Sequence, residues 1–233
     1  MKLTKTLLVG AILAGMAGAA QAETSVTLYG IVDLGLTYQR GKVGTTDSNR
    51  GAYGGDYQSR IGMNDGIQNG SRFGLRGTED LGDGLSAVFT LESGFTANNG
   101  NRSQGDRLFG RQATIGLNSD QWGLLELGRQ TNIASKYFGD IDPFSLDYLN
   151  ANMGMAFSAA NTVRYDNMVM YQTPVWSGFQ GGVGYSFSTD DVEGPTGFKT
   201  KENNRAITAG VRYDNGPLKL ALSYDCLLYT SDA

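Results

Sequence analysis

The chemistry available to this chain rests on arginines and carboxylates, because the sequence contains no histidine. The usual general base, the commonest metal ligand and the central member of Ser-His-Asp or Cys-His arrangements are therefore missing. Three carboxylates, Asp140, Asp142 and Asp147, lie in a long stretch without turn punctuation, residues 131–161. A loop of that length inside a compact fold is normally functional. We expect electrostatic handling of solutes rather than enzymatic catalysis, and no metal or other cofactor.

Charged side chains also occur in two segments in which apolar residues alternate with polar ones. Arg72 and Arg76 share the polar face of one segment, and Arg164 and Asp166 share that of the other. Charges on facing walls of a water-filled opening hold a field across it, so we expect these side chains to face a polar interior. The alternative is an ordinary ion pair on a wet surface, and for Arg76 both alternatives stay open. The secondary wall charges expected are Asp33, Glu92 and Asp166.

The elements that must position these side chains are β-strands. Residues 179–188 alternate apolar and polar side chains most cleanly, and residues 85–95 and 218–224 repeat the pattern. A period of two predicts strands with one apolar and one polar face, so the fold class is mainly β. The predicted strands are residues 25–39, 71–80, 85–95, 108–118, 123–130, 162–172, 179–188, 204–213 and 217–224.

The connections between these strands alternate in length. Short turns occur at every second connection, and long loops, at residues 40–70, 96–106 and 131–161, fill most of the others. This rhythm is typical of the periplasmic turns and extracellular loops of a transmembrane antiparallel β-barrel in the bacterial outer membrane. The first and last strands have no partners, so we expect an open antiparallel sheet of about nine strands rather than a closed cylinder.

The two ends of the chain have distinct characters. Lys2 and Lys5 precede an apolar run and a small-x-small cleavage site, which assigns residues 1–22 to a signal peptide. At the other end the strand pattern stops, and residues 226–233, which begin with Cys226, resemble read-through of a sequencing adapter. We expect this tail to be artefactual and the gene to continue beyond it, with a genuine variable C-terminus as the alternative. The mildly acidic net charge of −4 gives no indication of nucleic-acid binding.

Several motifs in sequence order resemble one family. They are SVTLYGIVD at residues 25–33, SRFGLRG at 71–77, GRQ at 128–130 and RYDNMVMY at 164–171. In these motifs the chain resembles a general diffusion porin of the β-proteobacterial type. The resemblance implies a sixteen-stranded barrel of which residues 23–225 form part, and a homotrimer in the outer membrane of a Gram-negative bacterium. It also implies contact with lipid and lipopolysaccharide, passage of small hydrophilic solutes and ions, and a constriction loop at about residues 131–161.

The resemblance adds residues to the expected constriction. Arg111 matches a pore arginine of the family, although the alternation around it favours neither face. Asp140 and Asp142 best match the carboxylates of the constriction loop, and the sequence does not choose between them. Asp147 belongs to the same acidic segment, which we expect to face Arg72, Arg76, Arg111 and Arg164.

Arg129 is expected on the opposite side of the wall. It alternates in phase with Leu125 and Leu127, which predicts a guanidinium that points out of the barrel. An unpaired arginine in lipid is costly, so we expect Arg129 to find a partner at the subunit interface. A rim arginine in contact with headgroups or water is the alternative.

Two other functions remain open at this stage. An outer-membrane adhesin or receptor would use its long loops to bind a partner and its barrel as a scaffold. A secreted β-sandwich that binds a ligand would be soluble without detergent. The direction in which residues 131–161 fold distinguishes the first of these from a channel.

Overall fold

The structure is a computed structural model that describes residues 25–42, 57–148, 152–189 and 204–229. The strands within these ranges are β1 Ser25–Ile31, β2 Leu34–Lys42, β3 Tyr57–Asp65, β4 Arg72–Gly82, β5 Leu85–Gly94, β6 Gln112–Ser119, β7 Gly123–Thr131, β8 Arg164–Gln172, β9 Phe179–Ser186, β10 Arg205–Asn215 and β11 Leu218–Leu228. Between β7 and β8 lie the helix α1, Ile133–Gly139, and two 3-10 turns, Met153–Met155 and Ser158–Ala160. Within the described ranges, no helix is long and apolar enough to cross a membrane. The predicted signal peptide lies outside them.

Nine of the strands form one antiparallel sheet in the order β1-β4-β5-β6-β7-β8-β9-β10-β11. From β4 onward, each strand pairs with the next one along the chain. β1 and β11 are the two edges, and in the part of the chain that the structure describes they do not pair with each other. The prediction of an open antiparallel sheet of about nine strands is therefore confirmed.

The two faces of the sheet differ in chemistry. Cross-strand partners share a face, and on one face these partners are large, apolar and exposed. Examples are the pairs Leu28 with Leu75, Ile115 with Leu127 and Val211 with Leu222. We call this the outer face. The opposite, inner face carries glycines and polar side chains, and α1 packs on it.

The chain leaves the sheet at Asp33, which corrects two predictions. Residues 25–39 are not one strand, because β2 pairs with β3 in a separate two-stranded sheet. Residues 40–70 are not one loop, because they contain β3. The Asp33 carboxylate accepts hydrogen bonds from the backbone N–H groups of Gln68 at 2.7 Å and Asn69 at 2.6 Å. These bonds hold the end of β1 against the segment that connects β3 to β4.

The last strand extends past its predicted end. β11 pairs with β10 as far as Leu228, and Cys226 lies opposite Ile207. The sequence pattern ends earlier because Leu227 and Leu228 are both apolar, so the alternation stops while the backbone pairing continues. The adapter interpretation of residues 226–233 stays a prediction, and residues 230–233 lie outside the described ranges.

The buried core lies between α1 and the inner face of the sheet. Ile133 and Tyr137 of α1 form one buried cluster with Met168 and Met170 of β8 and Ala206 of β10. Their burial removes apolar surface from water, at roughly 25 cal/mol per Å². The helix is therefore part of the folded wall rather than a free loop.

Two glycines make room for this helix. A Cβ at Gly182 would lie 2.5 Å from Ile133 Cδ1 and 2.7 Å from the Tyr137 hydroxyl. A Cβ at Gly210 would lie 2.8 Å from Ile133 Cγ2. Because carbon atoms pack at about 3.5 to 4 Å, any larger residue at either position displaces α1 from the wall.

Candidate functional site

The described residues of the segment 131–161, which are 131–148 and 152–161 and which we call the inner loop, are anchored to the wall at their start. Asn132 caps α1, and its Oδ1 accepts a hydrogen bond from the Ser135 N–H at 3.0 Å. Its Nδ2 donates to the Asp225 carboxylate of β11 at 2.9 Å. The Ile133 N–H donates to Thr208 Oγ1 of β10 at 2.9 Å. Free N–H groups of the first helical turn thus find partners, and the same bonds fix the helix to two strands.

Two ion pairs hold the rest of α1. Lys136 Nζ lies 3.4 Å from Glu126 Oε2 of β7. Asp140, the C-cap residue, pairs with Arg212 of β10. The start of α1 contacts Thr208 and its end contacts Arg212, which lies nearer the short turn of β10. The helix α1 therefore runs along the inner face from the long-loop end toward the short-turn end.

The inner loop then reaches the opposite part of the sheet. The Tyr148 N–H donates to the carbonyl of Gln68 at 2.6 Å. Asp147 Oδ2 lies 3.2 Å from Arg72 Nη2 of β4, and the same nitrogen lies 3.4 Å from Asn69 Oδ1. The beginning of the loop is thus attached to β10 and β11, and its middle to the start of β4, so the loop lies across the inner side of the sheet.

Glu92 organises the neighbouring arginines. Its Oε1 lies 2.5 Å from Arg111 Nε, and its Oε2 accepts a hydrogen bond from the Tyr29 hydroxyl at 2.9 Å. The guanidinium carbon of Arg76 lies 5.5 Å from the centroid of the Tyr29 ring, which is a cation–π distance. The structure therefore brings Arg76, Arg111 and Glu92 together.

Arg164 joins the same group through backbone oxygens. Its Nε donates to the carbonyl of Arg111 at 2.9 Å and its Nη1 to that of Thr162 at 3.0 Å. Among the described residues, no carboxylate lies within ion-pair distance of it, and Arg72 is one of the charges that act on it. We call Arg72, Arg76, Arg111 and Arg164 the arginine cluster. Glu92 and Asp147 are the carboxylates paired with it.

Of the three expected loop carboxylates, only Asp147 faces the arginine cluster. Asp142 is buried and accepts backbone hydrogen bonds from Phe144 at 3.0 Å, Leu146 at 3.1 Å and Met153 at 2.7 Å. Burial acts to raise the pKa of Asp142, but these three N–H donors outweigh it and hold the pKa below its usual range. Asp142 therefore stabilises the backbone of the inner loop and does not face the arginine cluster. Asp140 forms an ion pair with Arg212 instead.

Asp33 is likewise a structural carboxylate. Hydrogen bonds from the backbone N–H groups of Asn69 and Gln68 hold its pKa below the usual range. Its own N–H donates to Ser71 Oγ at 3.0 Å. Asp33 thus supports the segment that carries Arg72, and its carboxylate forms no ion pair with the arginines and lysines of the described ranges.

Strand β8 does not alternate regularly, which corrects the face expected for Asp166. Asn167 has a left-handed φ of 48°, and the register with β7 shifts beside it. Tyr165, which alternates out of phase with Arg164 and Asp166 in the sequence, is buried in the core with Ile133. Asp166, next to Tyr165, therefore does not follow the parity that its sequence predicts.

Asp166 instead binds two arginines, one of which is Arg129. Both of its carboxylate oxygens lie 2.7 Å from Arg107 Nη1, and Oδ1 lies 2.5 Å from Arg129 Nη1. Arg129 Nε also donates to the carbonyl of Gly110 at 2.8 Å. The register places Arg129 opposite Ala113, on the outer face. Arg129 thus has partners within its own chain, and its role between subunits stays a prediction.

Sequence reasoning missed Arg212, Lys136 and Glu126. Arg212 could have been found by parity, because it alternates with Val211 and Tyr213 as the other inner-face residues do. Lys136 and Glu126 gave no comparable signal, since their pairing depends on how α1 lies across β7.

The family follows from sequence comparison. The sequence profile of the Gram-negative porin family matches residues 9–232. The chain belongs to this porin family. An outer membrane porin protein of Bordetella pertussis is 63% identical to it over 231 residues, which cover 96% of this chain and 59% of that porin. Outer membrane porin protein 32 of Delftia acidovorans is 38% identical over 224 residues, which cover 94% of this chain and 58% of that porin.

A solved porin supports the fold. The anion-selective porin from Comamonas acidovorans matches with a TM-score of 0.67 and 34% identity, over 87% of this chain and 57% of that one. This porin chain therefore spans less than two thirds of the length of these relatives. The resemblance to a porin and the mainly β fold class are both confirmed.

Proposed function

We propose that this chain forms part of the wall and the constriction of a water-filled channel. Small hydrophilic solutes and ions would cross the outer membrane of a Gram-negative bacterium through it by passive diffusion. The observation that carries the proposal is the path of the inner loop. It lies on the polar inner face, opposite the exposed apolar face, and brings Asp147 to within 3.2 Å of Arg72.

Passive permeation needs no covalent step and no cofactor, so the residues act through their charges. The arginine cluster and the loop carboxylate hold a field across the opening, which orients polar solutes and disfavours apolar ones. Water is already ordered by these charges, so a solute that offers hydrogen-bonding groups replaces it at low cost.

The balance of charge supports a preference for anions. Two of the four guanidiniums of the arginine cluster form ion pairs, Arg72 with Asp147 and Arg111 with Glu92. Arg164 has only backbone carbonyls as partners among the described residues. The similar porin from Comamonas acidovorans is anion-selective, which agrees with this charge balance.

The assembly is part of the same proposal. The open edges β1 and β11 need partner strands, because unpaired edges cannot face lipid. We propose that the chain is part of a longer porin, with the chain length of its relatives, that closes into a barrel. Three such barrels would form a homotrimer surrounded by lipid and lipopolysaccharide. In that trimer Arg129 would lie near a subunit contact. The adhesin alternative has no supporting observation.

Planar-bilayer recordings on the whole protein test the channel directly. Stepwise conductance increments and a reversal potential displaced toward that of chloride in a KCl gradient are expected. A purified, folded protein that produces no conductance would contradict the proposal.

A further inference from the structure

Arg212 lies on the inner face near the short-turn end of β10, away from the arginine cluster. It is two residues beyond Gly210, where α1 packs closely on the sheet, and one residue before Tyr213. Its side chain is about a quarter exposed, at 27%, and its partner Asp140 is 48% exposed. The pair is therefore accessible from the interior, on the short-turn side of the inner loop.

The Arg212 guanidinium is held by groups other than Asp140. Its Nε donates to Gln180 Oε1 at 2.8 Å, and its guanidinium carbon lies 5.3 Å from the centroid of the Tyr137 ring. The amide and the aromatic ring together fix the plane of the guanidinium. Arg212 would thus keep its orientation if the carboxylate moved away.

Asp140 lies at a helix end that disfavours its charge. It is the C-cap of α1, where the partial negative charge of the helix end disfavours a carboxylate. The backbone N–H of Asp140 donates to the Phe138 carbonyl, but no second cation pairs with its side chain among the described residues. Partly exposed ion pairs of this type contribute little stability, so an anion in solution can compete with Asp140.

We propose that Arg212 is an anion-binding station on the short-turn side of the constriction, where a carboxylate or phosphate group of a permeating solute replaces Asp140. The proposal rests on the channel function and adds a second site to it. Within the described residues, Nη2 of Arg212 has no partner, so two oxygens of a carboxylate or phosphate group can contact Nη1 and Nη2 together once Asp140 has left. A solute would then pass between the arginine cluster and Arg212.

The experiment uses inorganic phosphate as the probe and the whole protein in planar bilayers. Phosphate is added on the short-turn side, and block of the chloride current is recorded. Asp140→Asn removes the internal competitor, so we expect half-block at a phosphate concentration about two- to fivefold lower. Arg212→Gln should weaken the block, and the Asp140→Asn change should have no further effect in that background.

Matched variants separate binding from a structural role. Arg212→Lys keeps the charge but lacks the two-pronged guanidinium, so the reversal potential should stay and the residence time of phosphate should shorten. Arg102→Gln disrupts another Arg–Asp pair, with Asp106, in an exposed loop, and should leave the block unchanged. If Asp140→Asn has no effect, or has the same effect without Arg212, the station does not exist even though the channel conducts. Absence of any conductance in the unmodified protein would instead overturn the channel proposal.

Discussion

The Asn132 side-chain amide donates a 2.9 Å hydrogen bond to the Asp225 carboxylate, 93 positions further along the chain. The same asparagine caps α1. One side chain therefore both begins the helix of the inner loop and fastens it to the edge strand β11. We therefore expect the position of the loop to depend on this bond as well as on the packing of Ile133 and Tyr137.

Replacement of Asn132 by alanine should loosen the inner loop. Loss of an N-cap costs about 1 kcal/mol, and here the bond to Asp225 is lost as well. Hydrogen exchange of residues 133–139 should accelerate, and the open-channel current should become noisier. Asn132→Ser can still cap the helix but is too short to reach Asp225, so it should give an intermediate effect. Unchanged exchange in Asn132→Ala would show that packing alone fixes the helix.

Gly182→Ala should displace α1, because its new Cβ would lie 2.5 Å from Ile133. Overpacking of this kind costs about 1 to 3 kcal/mol. We expect a lower thermal unfolding temperature and altered conductance. Gly62→Ala in β3 is the control, since its Cβ meets nothing within 4 Å. Equal unfolding temperatures for the two variants would contradict the packing described.

Acid should loosen the segment around Asp142. The pKa of Asp142 is lowered in the folded chain, so its ionised form adds stability that is complete above the ordinary value of 3.8. That stability is lost as the pH falls through the folded pKa. Protection of Phe144, Leu146 and Met153 against exchange, corrected for the intrinsic pH dependence, should therefore fall below pH 3.8. Asp142→Asn should abolish this dependence, whereas Asp33→Asn should keep it.

Arg129→Ala tests the predicted subunit contact. If Arg129 stabilises the trimer, the temperature at which the trimer dissociates in detergent should fall while single-channel conductance stays nearly unchanged. The ion pair with Asp166 complicates this, so Arg107→Ala, which removes the other arginine from Asp166, is the matched control. Reduced conductance with an intact trimer would place Arg129 in the pore.

Local periodicity was enough to predict the sheet. Alternation located nine paired strands, because each strand has one apolar face whatever its neighbours are. It failed where side chains override the pattern. Asp33 binds the backbone of residues 68–69 and ends β1 early, and Asn167 adopts a left-handed conformation that resets parity in β8.

The site was predictable only in part, for a related reason. Arg72 was expected from strand parity, Arg76 was left open between two alternatives, and Arg111 came from family resemblance. Arg164 was expected from the same parity as Asp166, but hydrogen bonds to the carbonyls of Arg111 and Thr162 hold it beside the cluster. The roles of the loop carboxylates depend on the path of the loop, which no periodicity encodes. Asp142 binds its own backbone, Asp140 binds Arg212, and Asp147 alone reaches Arg72.

The reversal potential of the Arg72→Gln/Arg164→Gln double variant tests the central claim most directly. Both side chains belong to the arginine cluster, and their loss leaves Glu92 and Asp147 with fewer counter-charges. In a KCl gradient across a planar bilayer, the whole protein should show a reversal potential shifted toward that of potassium relative to the unmodified channel. An unchanged reversal potential in a folded, conducting variant would contradict the assignment of this cluster to the constriction.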